Sequence, residues 1–282
     1  MIIKIIIFLS FSLTSFLLLL PGFNSSVLGN EITTDWQDNY NSRSRLIIGS
    51  YSSDKKLIIG LQLSIEKGSY SYWRNPGDSG IPPIIDFKDS INIESYDIKY
   101  PVPEKIVHSF GSSNGYKDNV IFPIILEPVS TKKPLHINVT FDYGICDTVC
   151  VPVNNKLSYI ISNLGSLSKE KSLLVNEFLE RVPNYNNITE KKAIKASLIH
   201  GREDNLYLKI ELNLSENSSI FIEEHDKLYL SALGPPKKLV NGNVEFNYEI
   251  YSNYVADDIV DQILSLVIVT EGDLIKEDIT IE

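Results

Sequence analysis

The chain has 282 residues, 43% of them hydrophobic and 22% charged, with 15 Tyr and 11 Phe. That length can bury a sizeable core and allows one or two domains. A net charge of −10 without any Lys/Arg cluster excludes recognition of nucleic acid through its phosphates, which needs a basic stripe.

The first segment reads as an export signal. Lys4 precedes an almost wholly apolar stretch, Ile5 to Leu20, which Pro21 and Gly22 break. Val27 and Gly29 supply a small-residue cleavage pattern, with cutting after Gly29. The apolar stretch is short for a spanning helix, which needs about 20 residues. An uncleaved signal would leave a tether at the start of the chain. No cysteine near the cleavage site marks a lipoprotein. Export predicts a periplasmic protein and an oxidising compartment for its cysteines.

Beyond residue 30 the pattern is that of short strands. Leu46–Ile48 is a possible strand. Leu57, Ile59, Leu61, Leu63 and Ile65 alternate with other residues, the signature of a strand. Asn75-Pro76-Gly77-Asp78-Ser79-Gly80 predicts a loop. Ile91 to Tyr100 is a further candidate strand. Residues 108–116 predict a Gly/Ser-rich loop carrying Phe110 and Tyr116. Val120 to Leu126 predicts a strand whose Pro123 belongs at an edge or a bulge. Leu135, Ile137, Val139, Phe141 and Tyr143 alternate with polar residues, so one face is buried and the other, with His136, is wet. Leu157 to Ile161 is the returning strand. A helix is predicted over about 168–182, stopped by Pro183. A second series of strands follows: Leu206–Leu214, Ile220–Ile222, Leu228–Leu230, Val244–Ile250 and Ile263–Val269. Turns at Gly234-Pro235-Pro236 and Asn241-Gly242-Asn243 separate some of them. The reading is an all-β fold: signal 1–29, a β-sandwich domain over 30–165, a helix and linker over 166–189, and a second β domain over 190–282.

The chemistry sits in Tyr143-Gly144-Ile145-Cys146-Asp147-Thr148-Val149-Cys150-Val151-Pro152, which holds the only two cysteines. A strand leads in and a strand leads out, so the pair lies across a tight hairpin turn within disulfide reach. Closing so short a loop removes little entropy from the unfolded chain, and stability explains the pair poorly. Thiol–disulfide exchange needs such a pair: one sulfur is attacked and the second resolves the mixed disulfide. The residues alone also allow a structural disulfide, or two thiolates that join a histidine around copper(I) or zinc. None of His108, His136, His200 and His225 adjoins the cysteines in sequence. Asp147, inside the pair, would raise thiol pKa values by like-charge repulsion. There is no phosphate loop and no nucleophile–base constellation.

At this point the sequence resembles a family. Tyr72-Trp73-Arg74-Asn75-Pro76-Gly77-Asp78-Ser79-Gly80-Ile81-Pro82-Pro83, Tyr100-Pro101-Val102-Pro103, Gly115-Tyr116-Lys117-Asp118, Phe122-Pro123 and Asp142 through Pro152 resemble the periplasmic N-terminal domain of DsbD thiol:disulfide interchange proteins. The likeness is closer still to stand-alone and copper-tolerance-associated relatives of that domain. The resemblance implies an immunoglobulin-like sandwich with Cys146 and Cys150 as the redox pair on a hairpin. It implies protein-disulfide reductase activity without cofactor or metal. Electrons would come from a membrane thiol carrier and pass to periplasmic isomerases or to thioredoxin-like proteins of cytochrome c maturation. It also implies a cap that shields the sulfurs, with Phe110 and Tyr116 as candidates, and active-site-proximal tyrosines at Tyr70 and Tyr72. The sequence departs from the family in three ways. Its cysteines are closer together, its cap segment is richer in Gly and Ser, and no membrane or thioredoxin-like domain is fused, so the donor would be a separate protein.

Overall fold

The computed structural model describes residues 32–282 except 53, 109–110, 168–171, 185–191, 203–204, 215–217, 252–254 and 271–272. The expected signal 1–29 and Phe110 lie outside the described residues. In the first half the strands are β1 (Ile32–Thr33), β2 (Gln37–Asn39), β3 (Ser42–Tyr51), β4 (Leu57–Ile65), β5 (Ser71–Gly77), β6 (Ile84–Asp86), β7 (Ile93–Ile98), β8 (Glu104–His108), β9 (Gly111–Tyr116), β10 (Asn119–Pro128), β11 (Leu135–Cys146) and β12 (Cys150–Ile161). One sheet runs β1-β3-β4-β10-β7, with β2 also on β3; a second runs β12-β11-β6; a third, smaller sheet runs β5-β9-β8. All named pairs are antiparallel.

The alternation in the sequence explains how these sheets close on one core. Leu57, Ile59, Leu61 and Leu63 of β4 are fully buried, as are Leu135 and Phe141 of β11. Both sheets therefore contribute to a single cluster, which also takes Trp73 from β5 and Tyr116 from β9. This is the expected immunoglobulin-like arrangement, and it leaves the β11–β12 hairpin to carry the cysteines at its tip.

A short helix, α1 (Leu173–Glu180), follows, with the Ser172 side chain accepting from Val175 N at its start. It is shorter than the sequence suggested. Val175 and Phe178 anchor it on the first core. The second half comprises β13 (Ala193–His200), β14 (Leu206–Leu212), β15 (Ser219–Ile222), β16 (Tyr229–Ala232), β17 (Lys237–Lys238), β18 (Val244–Tyr251), α2 (Ala256–Ile259), β19 (Ile263–Val269) and β20 (Leu274–Thr280). They form the sheets β13-β14-β18-β16 and β15-β19-β20 around a second core. The two cores meet, because Phe221 of β15 and Val267 of β19 belong to the first cluster.

Three expectations need correction. The loop expected over 75–80 begins later, because β5 runs on to Gly77. Residues 111–116 are a strand, not a loop. Their small side chains make the pairing possible: a Cβ on Gly115 would lie 2.0 Å from Ser71 O, so only glycine lets β5 approach β9 there. Pro123 sits in β10, a strand paired on both sides. The proline is tolerated because its backbone faces the end of the β7 ladder, where Lys99 N donates to Pro123 O at 2.8 Å. The missing N–H therefore falls where that pairing stops.

Candidate functional site

Cys146 ends β11 and Cys150 begins β12, directly opposite one another in the register. Cys146 N donates to Tyr70 O at 2.9 Å, and Tyr70 N donates to Cys146 O at 2.8 Å. The backbone of Cys146 is thus turned toward Tyr70 and away from β12. That makes Cys146 and Cys150 a non-hydrogen-bonded cross-strand pair, the closer kind, in which side chains approach best. Their Cα atoms are 4.1 Å apart and the sulfurs are joined as a disulfide.

The turn between them is held by its own aspartate. Asp147 Oδ1 accepts from Val149 N at 3.0 Å, from Thr148 Oγ1 at 3.1 Å and from Thr148 N. Asp147 Oδ2 accepts from Asn41 Nδ2 at 3.1 Å and from the Tyr40 hydroxyl at 3.3 Å. These donors, the Val149 amide foremost, hold the Asp147 carboxyl below the usual carboxylate range. The β2–β3 turn thereby straps the tip of the cysteine hairpin.

The two sulfurs differ sharply in environment. Cys146 is fully buried, whereas Cys150 is exposed. Tyr72 lies over the pair, with its hydroxyl 2.6 Å from Cys146 Sγ and 3.1 Å from Cys150 Sγ. The disulfide sulfurs carry no proton, so the phenol is the donor. Burial, and then the neighbouring Tyr70, push the Tyr72 phenol well above its ordinary value. It therefore remains a protonated donor throughout the working pH range.

Local sequence explains how Tyr72 reaches this place. The outward face of β11 carries Asn138, Thr140 and Asp142, then changes at Gly144. A Cβ there would stand 2.7 Å from Ile81 Cβ and 3.1 Å from the Tyr72 ring. A Cβ on Gly80 would strike the same ring at 2.4 Å. Both glycines make room for the tyrosine. Tyr70 meets Tyr72 edge to face, with centroids 5.5 Å apart, and lies nearly parallel to His108 at 6.2 Å. The His108 Nε2 is 3.0 Å from Ser113 Oγ.

Of the residues singled out from sequence, Cys146, Cys150, Tyr70 and Tyr72 come together. Tyr116 does not cover the sulfurs. Its ring packs in the first core against Phe122 at 5.5 Å and its hydroxyl donates to Pro101 O at 2.8 Å. Gly144, Gly80, Asn41 and Tyr40 were missed. Only Gly144, two residues before a cysteine, carried a local signal. Among the described residues no cluster of three His, Cys, Asp or Glu is placed to hold a metal ion. No helix among them is long and apolar enough to cross a membrane.

Comparison with known proteins agrees with this geometry. The family model described as thiol:disulfide interchange protein DsbD, N-terminal, matches residues 45–161. Among solved structures, the N-terminal periplasmic domain of ScsB from Proteus mirabilis superposes with a TM-score of 0.68 at 20% identity. The likeness covers 89% of this chain and 98% of that one, so both halves share its fold. No curated protein matches the chain.

Proposed function

We propose, from the match of residues 45–161 to the family model of DsbD N-terminal thiol:disulfide interchange domains, that Cys146 and Cys150 relay reducing equivalents in the periplasm. The donor is a membrane-embedded thiol carrier. The acceptors are disulfide-bearing periplasmic proteins of the isomerase or cytochrome c maturation type. The observation that carries this reading is the asymmetry of the pair: an exposed Cys150 joined to a buried Cys146 whose sulfur already receives a hydrogen bond from Tyr72.

The chemistry follows from that asymmetry. A donor thiolate attacks Cys150 Sγ, the sulfur open to solvent. The new bond joins the donor sulfur to Cys150, and the Cys146–Cys150 bond breaks with its electron pair on Cys146 Sγ. The Tyr72 hydroxyl is placed to stabilise that thiolate by a charge-assisted hydrogen bond. The donor's second thiolate then attacks its own sulfur in the mixed disulfide and releases Cys150. The donor leaves oxidised, and the pair holds two electrons and two protons as a dithiol. Delivery to an acceptor runs the same steps in reverse, with Cys150 as the nucleophile. Asp147 disfavours a free thiolate at Cys150 until a partner docks.

Two measurements test this. In redox titration an exchange pair equilibrates at roughly −120 to −270 mV, whereas a structural bond lies below about −300 mV. In trapping, Cys146→Ala leaves the exposed Cys150 and should capture a mixed disulfide with the partner. Cys150→Ala leaves only the buried thiol and should capture far less. Equal trapping by both variants would remove the assigned order of attack, and capture by neither would remove the relay.

A further inference from the structure

Residues 74–81 are gripped from two sides. From the second half, Glu223 pairs with Arg74, and Glu223, only 9% exposed, also takes Lys276 Nζ at 3.1 Å. Ile222 O accepts from Asn75 Nδ2 at 2.9 Å, the Tyr229 hydroxyl donates to Gly77 O, and Ser231 Oγ donates to Asp78 Oδ1 at 2.9 Å. Phe221 packs edge to face on Trp73 at 6.1 Å. From the first half the same segment meets the sulfur site. Gly80 lies against the Tyr72 ring, Ile81 lies against Gly144, and Gly144 N donates to Ile81 O at 3.2 Å.

The segment between these grips does not fix its own path. β5 leaves regular register with β9 between Tyr72 and Gly77, and Gly77 and Gly80 have φ of 83° and 152°. Glycines in that region have the widest choice of backbone conformation, so external partners select the one observed. The Tyr72 hydroxyl is correspondingly sensitive. At 2.6 and 3.1 Å from the sulfurs, a shift of about 1 Å carries it beyond reach of Cys150 Sγ and weakens its bond to Cys146 Sγ.

We propose that the second half of the chain is a positioning unit for the exchange site: Glu223, Tyr229 and Ser231 fix residues 74–81, and Gly80 and Ile81 in turn hold the Tyr72 hydroxyl on the sulfurs. The proposal deepens the exchange reading and rests on it. None of the three residues touches a sulfur, so each acts on the reaction only through Tyr72.

The test uses the full oxidised chain and two readouts: the rate of reduction by dithiothreitol and the equilibrium constant with glutathione. The variants are Tyr229→Phe combined with Ser231→Ala, and separately Glu223→Gln. Ile210→Val serves as the control, since it removes one buried methyl from the second core away from the junction. The junction variants should slow reduction at least threefold and shift the glutathione equilibrium. The control should lower Tm while both readouts stay at the wild-type value. In a Tyr72→Phe background the junction variants should add nothing further, because residues acting through one group are not additive. Junction variants that lower Tm but keep the wild-type rate and equilibrium would overturn the proposal, as would full additivity with Tyr72→Phe. A wild-type pair that glutathione never reduces would refute the exchange reading alone, because the dithiothreitol rate still reports the hold on Tyr72.

Discussion

On β14 and β18 of the second half, the face opposite the core carries Lys209, Glu211, Glu245 and Asn247, and each carboxylate there has side-chain partners: Lys209 pairs with Glu245 at 3.2 Å, Asn247 donates to the same carboxylate, and Asn241 and Asn243 donate to Glu211. On β11 of the first half the corresponding face begins in the same way, with Asn138, Thr140 and Asp142, and then presents Gly144 and Cys146. There the polar cover is replaced by Tyr72 and Ile81 packing down on the strand. The strand pattern is the same in both halves. A site arises where an outward position is emptied of its side chain and a neighbouring strand supplies the cover.

The largest effect should come from cutting the link between the halves. Phe221 sits in β15 but belongs to the first core and packs on Trp73. Phe221→Ala should cost about 3–5 kcal/mol and lower the urea midpoint of a single unfolding transition. Two resolved transitions in the wild type would instead make the halves independent, and the comparison would then be one between separate domains. Next comes the emptied position. Gly144→Ala forces a methyl against Ile81 and Tyr72 and should destabilise by about 1–3 kcal/mol. Lys209→Ala, on the equivalent polar face, loses one partly exposed ion pair and should stay within about 1 kcal/mol. Thermal melts of the two oxidised variants, run together, show whether the covered face is the stricter one.

Tyr72→Phe separates cover from chemistry, since it keeps the ring and removes the donor. Stabilisation of the departing Cys146 thiolate should fall, and reduction by dithiothreitol should slow by about tenfold, equivalent to about 1.4 kcal/mol. Tm should move less than in Gly144→Ala. Faster reduction would mean that the hydroxyl mainly shields the sulfurs.

Local periodicity made much of this legible. The five alternating apolar residues from Leu57 to Ile65 span β4 in full, and those from Leu135 to Tyr143 mark the buried face of β11. The cysteine hairpin could be read because its residues are neighbours in the chain. What stayed hidden depends on close approach between distant segments. The glycines and serines of 111–116 carry the composition of a turn, yet they form β9 because Gly115 lets Ser71 O come within reach. The family resemblance made Tyr116 a candidate shield because it lies in the segment matched to the cap, but at the end of β9 its side chain enters the core. The proposed order of attack rests on the burial of Cys146 beneath Tyr72 while Cys150 stays open to solvent. The contact of Tyr72 with Cys146 is one across 74 residues, to which no spacing within the motif points.

The smallest effect concerns the charge inside the cysteine turn; on the polar face of the second half a carboxylate such as Glu245 is paired with lysine. Asp147 is instead held by amides and by Asn41, so its charge stands uncompensated beside Cys150. Asp147→Asn keeps an acceptor oxygen for the turn and removes the charge. Attack by anionic dithiothreitol should then quicken about two- to threefold at low salt, and the gain should shrink as salt screens the field. The carboxyl is held below the usual range, so its contribution to stability is present above the unfolded value and is lost as pH falls through the folded one. The Tm gap between wild type and Asp147→Asn should accordingly be constant from neutral pH down to about pH 4 and close only below it. A gap that closes near pH 6 would assign the effect to another group, and the turn's aspartate would then be a spacer without electrostatic influence on the pair.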